Sequence, residues 1–460
     1  MVAYFFPPVG GVAVARTLGS VRYLPDAGWT PVVIAPAGST YHLTDPAGLG
    51  ALPAGLEVER ARTIEPGHLR RLLAPLRGRG GTTTPAPAAE ATASAPVAST
   101  TPTPAPATPV PAPRPNAGLT WPARIRRTLW FPDDQLGWIP SAVMAVGRAH
   151  ARAPLAALHS SSSPASAHVA AAIASRRLRI PWVADFRDPW VENPVDPAMG
   201  RIDAWRRRTL EAWIIRTADR VTFATPSLHD AYVRRYPERA DRFSVIENGY
   251  DRAELPPLPA RGGADDDVRR LVYAGSLYRP AELATFLDGV AAVLDRRTEV
   301  ADRLRVEFIG SATDACKAVA VSRLARADVA SVVTFTPFLP RAEALRRLAD
   351  ADAALTLLGP GPGMAQFIGA KLYDAIGLDR PVVAMLPPGD ARDVLAGLDW
   401  GIVCDPEPGS VADALERFLD TPPQDRPADP DGRYDRAMLA RRLGGLLDEL
   451  RAAAADRMPA

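Results

Sequence analysis

A repeated alternation of short apolar runs with helical patterns constrains this chain more than any other feature. The first half carries "TPVVIAP", "LEVERAR", "LAALHSSS", "PWVADFRD", "RVTFAT" and "FSVIENG". The second carries "RRLVYAGS", "LRVEFIGS", "VVTFTPFL", "DAALTLLG", "RPVVAMLP" and "WGIVCDP". These runs are rich in Val, Ile and Phe and have the length of strands. Stretches such as Val12–Leu24 and Ala165–Ser175 place apolar residues at helical spacing between them. Strands that alternate with helices pair in parallel, because each crossover helix carries the chain back to the same end of the sheet. The helices then cover both faces. Two such series in 460 residues imply an α/β chain of two doubly wound domains facing across a cleft. The expected divisions are 1–253, 254–430 and a C-terminal helix within 431–460. The hinge is expected near Asn248-Gly249-Tyr250-Asp251, after the last run of the first series.

One segment breaks the pattern. Thr82 to Asn116, "TTTPAPAAEATASAPVASTTPTPAPATPVPAPRPN", is Pro, Ala and Thr with almost no large apolar side chain. It cannot bury enough surface to offset the entropy of ordering, so a disordered, partly polyproline II insert is expected. The net charge of +2 argues against a general nucleic-acid binder. The cysteines, Cys316 and Cys404, stand far apart and belong to no CxxC or Cys/His cluster, so neither a zinc site nor a disulfide scaffold is expected. No apolar run approaches the length of a membrane span and none resembles a signal peptide, which points to a cytoplasmic protein. Val2–Phe6 already reads as a strand, so its first residues are expected to be missing from the sequence.

Several stretches carry candidate chemistry. Gly10-Gly11 falls between that strand and the helix from Val12, where backbone N–H groups and the positive helix end suit a phosphate or a sugar, and equally a plain tight turn. "ADFRDPW" puts Asp185, Arg187 and Asp188 at the loop end of a strand, where ligands gather or where an Arg/Asp pair braces the loop. Ser160–Ser163 end the preceding strand with hydroxyls suited to sugar binding or loop capping. The basic residues are nearly all arginine, with lysine only at 317 and 371. A surviving lysine marks a place where a compact ammonium is wanted, and the neighbours of Lys371 favour it over Lys317.

The motifs "YFFPPVGG", "FPDD…GW", "SSSP", "WVADFRDPW", "NGYD", "YAGSLY" and "KLYDAIGLDRPVVA" together make the chain similar to glycosyltransferase family 4. The resemblance covers nearly all of the chain outside the Pro/Ala/Thr insert and the last few residues. It implies the GT-B architecture, two Rossmann-like domains around a cleft, and retaining sugar transfer from a nucleotide-diphosphate donor. By resemblance, Arg279 and Lys371 grip the donor diphosphate, and Arg187 or Asp188 contacts sugar hydroxyls, where many members carry a histidine in place of Arg187. Gly10, Gly11, Gly275 and Ser276 line the donor side; Arg16 and Asp185 lie on the acceptor side. The family's two glutamates separated by seven residues match Gln366 and Asp374, which implies donor-sugar contact for the first and ribose contact for the second. No metal and no cofactor are implied, the nucleotide sugar being a substrate, and the acceptor is a glycan, glycolipid or natural product.

Two stretches favour ordinary roles. "RIDAWRRRTLEAWIIRTADR" is basic and aromatic enough to rest on an anionic membrane, but core packing of Trp205, Trp213 and Ile214 is the stronger expectation. His168 reads as a core histidine. Two rival functions remain, a nucleotide-sugar epimerase of the same architecture and a non-catalytic nucleotide-sugar-binding partner subunit. The Gln366 and Asp374 departures are the only support for the second.

Overall fold

The computed structural model describes residues 1–10, 12–41, 46–68, 127–193, 200–258, 267–421 and 426–455. Gly11 and the stretch 82–116 lie outside the described residues.

Each of the apolar runs contains one strand. In the first half these are β1 (Val32–Ala37), β2 (Glu57–Arg62), β3 (Leu158–Ser162), β4 (Trp182–Phe186), β5 (Arg220–Phe223) and β6 (Phe243–Val245). β1 pairs with β2, and β3-β4-β5-β6 form a second group, all parallel. Val2 joins the two groups through parallel bridges to Ile34 of β1 and Ser160 of β3. Its N–H donates to the His159 carbonyl at 2.8 Å. The expected strand over Val2–Phe6 is therefore only this bridge. Pro7 and Pro8, which lack N–H groups, cannot extend a ladder between two neighbours.

The second half holds β7 (Arg269–Ala274), β8 (Leu304–Ile309), β9 (Val333–Thr336), β10 (Ala353–Leu357), β11 (Val382–Met385) and β12 (Ile402–Cys404). Their order across the parallel sheet is β12-β11-β10-β7-β8-β9. The chain builds outwards from β7 through β8 and β9, then restarts on the other side at β10. The crevice between the ends of β7 and β10 is thus a topological switch point, the place where such sheets bind ligands.

The helices used below are α1 (Val12–Tyr23), α2 (Ile139–Arg152), α3 (Ala165–Leu178), α4 (Arg201–Thr217), α5 (Pro226–Arg235), α6 (Pro280–Arg296), α7 (Asp314–Arg323), α8 (Arg341–Ala349), α9 (Ala370–Gly377), α10 (Asp390–Leu398), α11 (Pro408–Asp420) and α12 (Arg436–Ala455). β3 and β4 are buried at every position. The alanines of α3, including Ala167, Ala170, Ala171 and Ala174, are fully buried, and their small side chains allow close packing in the core they share with Trp182 and Phe186. The start of α3 explains the "FPDD" motif. Asp133 accepts from the Ser166 N–H at 2.9 Å and from its hydroxyl at 2.5 Å, capping the helix. Burial pushes the Asp133 carboxyl above its usual range, with the Ser166 bonds opposing.

α12 returns from the second half to pack on the first. Leu439, Leu443, Leu446, Leu447 and Leu450 share a cluster with Leu24, Val183 and Ile246. Two chain segments therefore cross between the halves and pair there. The Tyr250 N–H donates to Tyr434 O at 3.0 Å, and the Arg436 N–H to Tyr250 O at 2.9 Å. Gly249 permits this crossing, since a Cβ at that position would stand 2.0 Å from Tyr434 O.

α4 departs from expectation. Ile214 is fully buried and Trp213 packs against the core, but Trp205 is 64% exposed, with Ile202 at 76%. The buried face of the helix carries Arg207, Glu211 and Ile214, and Trp205, two residues before Arg207, falls on the opposite side, in solvent. His168 is a core histidine as expected. Its Nδ1 hydrogen-bonds Ser160 Oγ at 2.7 Å, its ring lies 4.7 Å from that of Phe186, and burial lowers its pKa to about 3. Lys317 is an exposed side chain paired with Asp314 at 3.2 Å on the same helix.

Candidate active site

A cavity of about 430 Å³ opens between the halves. Arg16, His159, Asp185, Arg187 and Asp188 line it from the first half; Tyr273, Arg279, Glu282, Phe367 and Lys371 line it from the second.

The second-half wall is built at the switch point. β7 ends at Ala274, and Gly275 follows with φ +142°, a conformation that L side chains rarely adopt. A Cβ on Gly275 would stand 2.1 Å from Lys371 Cε, so the missing side chain makes the channel through which the lysine passes. Lys371 is the second residue of α9. Its Nζ lies 3.8 Å from the Tyr273 ring centroid and donates to the Tyr273 hydroxyl. Burial pulls the ammonium down to about 8, with the Glu282 carboxylate opposing. Arg279 stands immediately before the first residue of α6 and makes no side-chain capping bond. Its Nε pairs with Glu282 Oε1 at 2.5 Å, and its Nη1 and Nη2 point to Met364 Sδ at 3.2 Å and Pro360 O at 3.4 Å.

Gly275→Ala tests this packing. The added methyl is expected to displace Lys371 and strain the backbone by roughly 1–3 kcal/mol. A urea melt reads the strain, and calorimetric titration with inorganic pyrophosphate reads the loss of anion binding. Unchanged pyrophosphate affinity would show that Lys371 tolerates displacement.

The first-half wall is held by a buried ion pair. Asp185 is fully buried and takes Arg16 in bidentate fashion at 2.7 and 2.8 Å. Ser161 Oγ and Thr222 Oγ1 add hydrogen bonds at 2.9 and 2.8 Å. Burial alone would raise the Asp185 carboxyl, but the Arg16 guanidinium outweighs it and holds the group well below the usual carboxylate range. Arg16 also donates to Ile246 O, Glu247 O and Asn248 Oδ1 at 2.8, 2.6 and 3.2 Å. It ties α1 to β4 and to the chain leaving β6. Arg187 is likewise engaged by backbone, donating to Ser162 O, Ser163 O and Ala13 O. Bracing of the loop therefore accounts for three of its N–H groups.

The structure brings Arg16, Asp185, Arg187, Asp188, Arg279 and Lys371 to one cavity. It leaves other expected residues outside the lining. Gly10 is buried away from it, and the first turn of α1 lines it instead through Ala13. Ser276 Oγ pairs with Ser311 Oγ at 2.8 Å. Gln366 ends a short 3₁₀ turn and meets the first half through its backbone, its carbonyl accepting from Thr225 Oγ1 at 3.3 Å, while the next residue, Phe367, lines the cavity. Asp374 is held by Arg341 of α8, whose two terminal nitrogens lie 2.9 and 3.1 Å from its oxygens. That fork occupies both oxygens expected to meet a ribose.

Among the lining residues that the sequence reading missed are Tyr273, His159 and Glu282. Tyr273 falls in an apolar strand. His159 is buried, its pKa lowered to about 4 by desolvation, so it is neutral near pH 7. Glu282 had a legible signal, a carboxylate three residues after Arg279 in the first turn of a helix.

Residues 97–254, about a third of the chain, match the family model described as Glycosyltransferase Family 4. This stretch is similar to glycosyltransferase family 4. The matched region ends just past Tyr250, so the match covers most of the first-half wall of the cavity. A D-inositol 3-phosphate glycosyltransferase of Streptomyces scabiei is 28% identical over 221 residues, 46% of this chain and 48% of the relative. One of the same description from Paenarthrobacter aurescens is 26% identical over 235 residues, 50% of this chain and 56% of the relative. The chain spans about half the length of these curated relatives. Among solved structures, a glycosyltransferase from Rickettsia africae aligns with TM-score 0.57 at 9% identity, covering 95% of this chain and 94% of that one. Anabaena HepE in complex with UDP aligns with TM-score 0.53 at 14% identity, covering 97% of each. These likenesses show the fold: the chain has the GT-B architecture of two parallel-sheet, Rossmann-like units.

Proposed function

We propose that the chain is a retaining glycosyltransferase that moves a sugar, of hexosyl type, from a nucleotide-diphosphate donor to an acceptor hydroxyl. The observation that carries this reading is the convergence of Lys371 and Arg279 on one cavity wall at the β7/β10 switch point, opposite Arg187 and Asp188. Fixed cations there stabilise the charge that develops as the diphosphate leaves. Attack comes from the same face, and the leaving phosphate oxygen takes the acceptor proton, so neither a histidine base nor a metal is required by this reading. His159, neutral near pH 7, is left free to hydrogen-bond a hydroxyl. The curated relatives act on an inositol phosphate by their description, which favours a hydroxylated small molecule or a glycan of cell-envelope type as acceptor.

A thermal-shift panel of UDP, GDP, ADP, CDP and dTDP tests the donor site. One of them is expected to raise stability by about 2.7 kcal/mol at a hundredfold excess over its Kd. No shift with any, together with no diphosphate released from the matching sugars, would overturn the reading. The non-catalytic partner reading draws on one observation, the Arg341 fork on Asp374. It predicts nucleotide binding without sugar transfer.

No helix among the described residues is long and apolar enough to cross a membrane. A cytoplasmic protein that touches an anionic membrane through α4 is part of the proposal, because Ile202 and Trp205 stand exposed beside the exposed Arg201 and Arg208. Trp205→Ser is expected to change stability by less than about 0.5 kcal/mol. It should also weaken co-sedimentation with phosphatidylglycerol vesicles. Equal binding by the variant would exclude this face.

A further inference from the structure

Glu282 places a carboxylate inside a site whose other groups suit an anion. It is the third residue of α6, its side chain is 11% exposed, and it lines the cavity with Arg279 and Lys371. One oxygen, Oε1, accepts from two donors, Arg279 Nε at 2.5 Å and the Gly359 N–H at 2.6 Å. Gly359 belongs to the loop "GPGPG" that follows β10. A Cβ there would stand 2.8 Å from Glu282 Cγ, so glycine lets the loop backbone come down onto the carboxylate. The same loop supplies Pro360 O to Arg279. Carboxylate, guanidinium and loop thus form a closed cluster at the mouth of the crevice between β7 and β10. Burial raises the Glu282 carboxyl above its usual range, while the Gly359 N–H and Arg279 oppose it.

A diphosphate bound at this wall would call on the same donors: the Arg279 guanidinium, the Gly359 N–H, the first turn of α6 and the Lys371 ammonium. It would either take them from Glu282 or lie beside a second negative charge. Both weaken binding, since like charges brought together in a partly desolvated site repel strongly.

We propose that Glu282 is an internal counter-ion of the diphosphate site, occupying its donors when the site is empty and lowering its affinity for the nucleoside diphosphate product. This rests on the donor-site reading above. The consequence for turnover is faster product loss, because the carboxylate reclaims Arg279 and the loop as the diphosphate leaves.

Calorimetric titration of the full chain with UDP, inorganic pyrophosphate and uridine, for wild type, Glu282→Gln, Glu282→Ala and Glu282→Asp, tests the proposal. Glutamine keeps an acceptor for the Gly359 N–H and removes only the charge. The two neutral variants are expected to bind UDP and pyrophosphate about tenfold more tightly than wild type, with uridine unchanged and Glu282→Asp close to wild type. Two neutral variants are used so that one poorly folded protein does not decide the result. Equal or weaker binding of pyrophosphate by the neutral variants, while wild type binds it, overturns the counter-ion role and makes Glu282 a brace for Arg279. A gain that extends to uridine also overturns it, since that would mean a loosened pocket. If wild type binds neither anion but a neutral variant does, the proposal is supported. If no variant binds either, the donor-site reading fails and this one falls with it.

Discussion

Lys371→Ala is expected to lower kcat by about a hundredfold or more, with a much smaller rise in KM for the donor. Removing a fixed donor aimed at developing charge costs about 10²–10³ in rate in comparable sites. The loss falls on kcat because diphosphate charge grows in the transition state, where the ammonium interacts more strongly than in the ground state. Lys371→Arg is expected to recover only part. The ammonium reaches its place through the gap over Gly275 and against the Tyr273 ring, and a planar guanidinium does not fit that passage as a compact cation does. The pH profile supplies a second readout. With the ammonium lowered to about 8, the cation is present below that pH and lost above it, so kcat should fall as pH rises through about 8. Arg279→Ala should lower kcat too but leave that limb of the profile in place. Near wild-type turnover in both alanine variants would remove the pair from catalysis, and full recovery with arginine at 371 would show that any cation serves.

Arg16→Ala and Asp185→Asn are expected to be the most destabilising single changes in the first half, each by about 3–5 kcal/mol. Breaking a buried ion pair leaves the other partner uncompensated. Asp185 has no exposed surface, and Arg16 also donates to Ile246 O, Glu247 O and Asn248 Oδ1. The acid dependence follows in sign. A carboxyl depressed in the folded state contributes stability that is present above its unfolded value of about 3.9 and lost as pH falls below it. Wild type should therefore lose stability between about pH 5 and pH 2 more steeply than Asp185→Asn, as urea melts across that range would show. The same pair was expected on the acceptor side of the cleft. If Arg16→Ala raised KM for acceptor with no change in the melt, contact with substrate, and not the tie between α1, β4 and the hinge, would be its role.

The architecture was legible because parallel sheets buried on both faces need contiguous apolar strands, and such runs stand out along a chain. "PWVADFRD" shows this: all five residues of β4 are buried, so no alternation blurs the run. Lys371 was legible for a different reason. In a chain that uses arginine almost everywhere, a lysine before "LYDAIG" marks a demand for a compact charge. Lys317 carried the same rarity and none of the context, and it proves to be an exposed helix pair with Asp314. The Pro/Ala/Thr stretch was read from composition and lies outside the described residues.

Partnership was not legible. Asp374 matches an acidic position by spacing, yet Arg341, 33 residues earlier, holds both its oxygens. Arg187 reads equally as a ligand contact or a loop brace, and only the structure shows that carbonyls of Ser162, Ser163 and Ala13 take three of its N–H groups. Trp205 reads as core by its type, but the buried face of its helix carries Arg207, Glu211 and Ile214, and Trp205 stands on the other side. From its own pattern of apolar runs, glycines and rare lysine, the chain determines two parallel-sheet units, the ends of the strands where chemistry gathers, and which residue types stand there. Periodicity and backbone freedom are local properties and are written locally. Which cation meets the cavity, which is spent on a carboxylate, and that Glu282 closes on Arg279 and Gly359 were decided only in the tertiary structure. A charged group takes the partner that lies within a few ångströms in space, and separation along the chain carries no record of that distance.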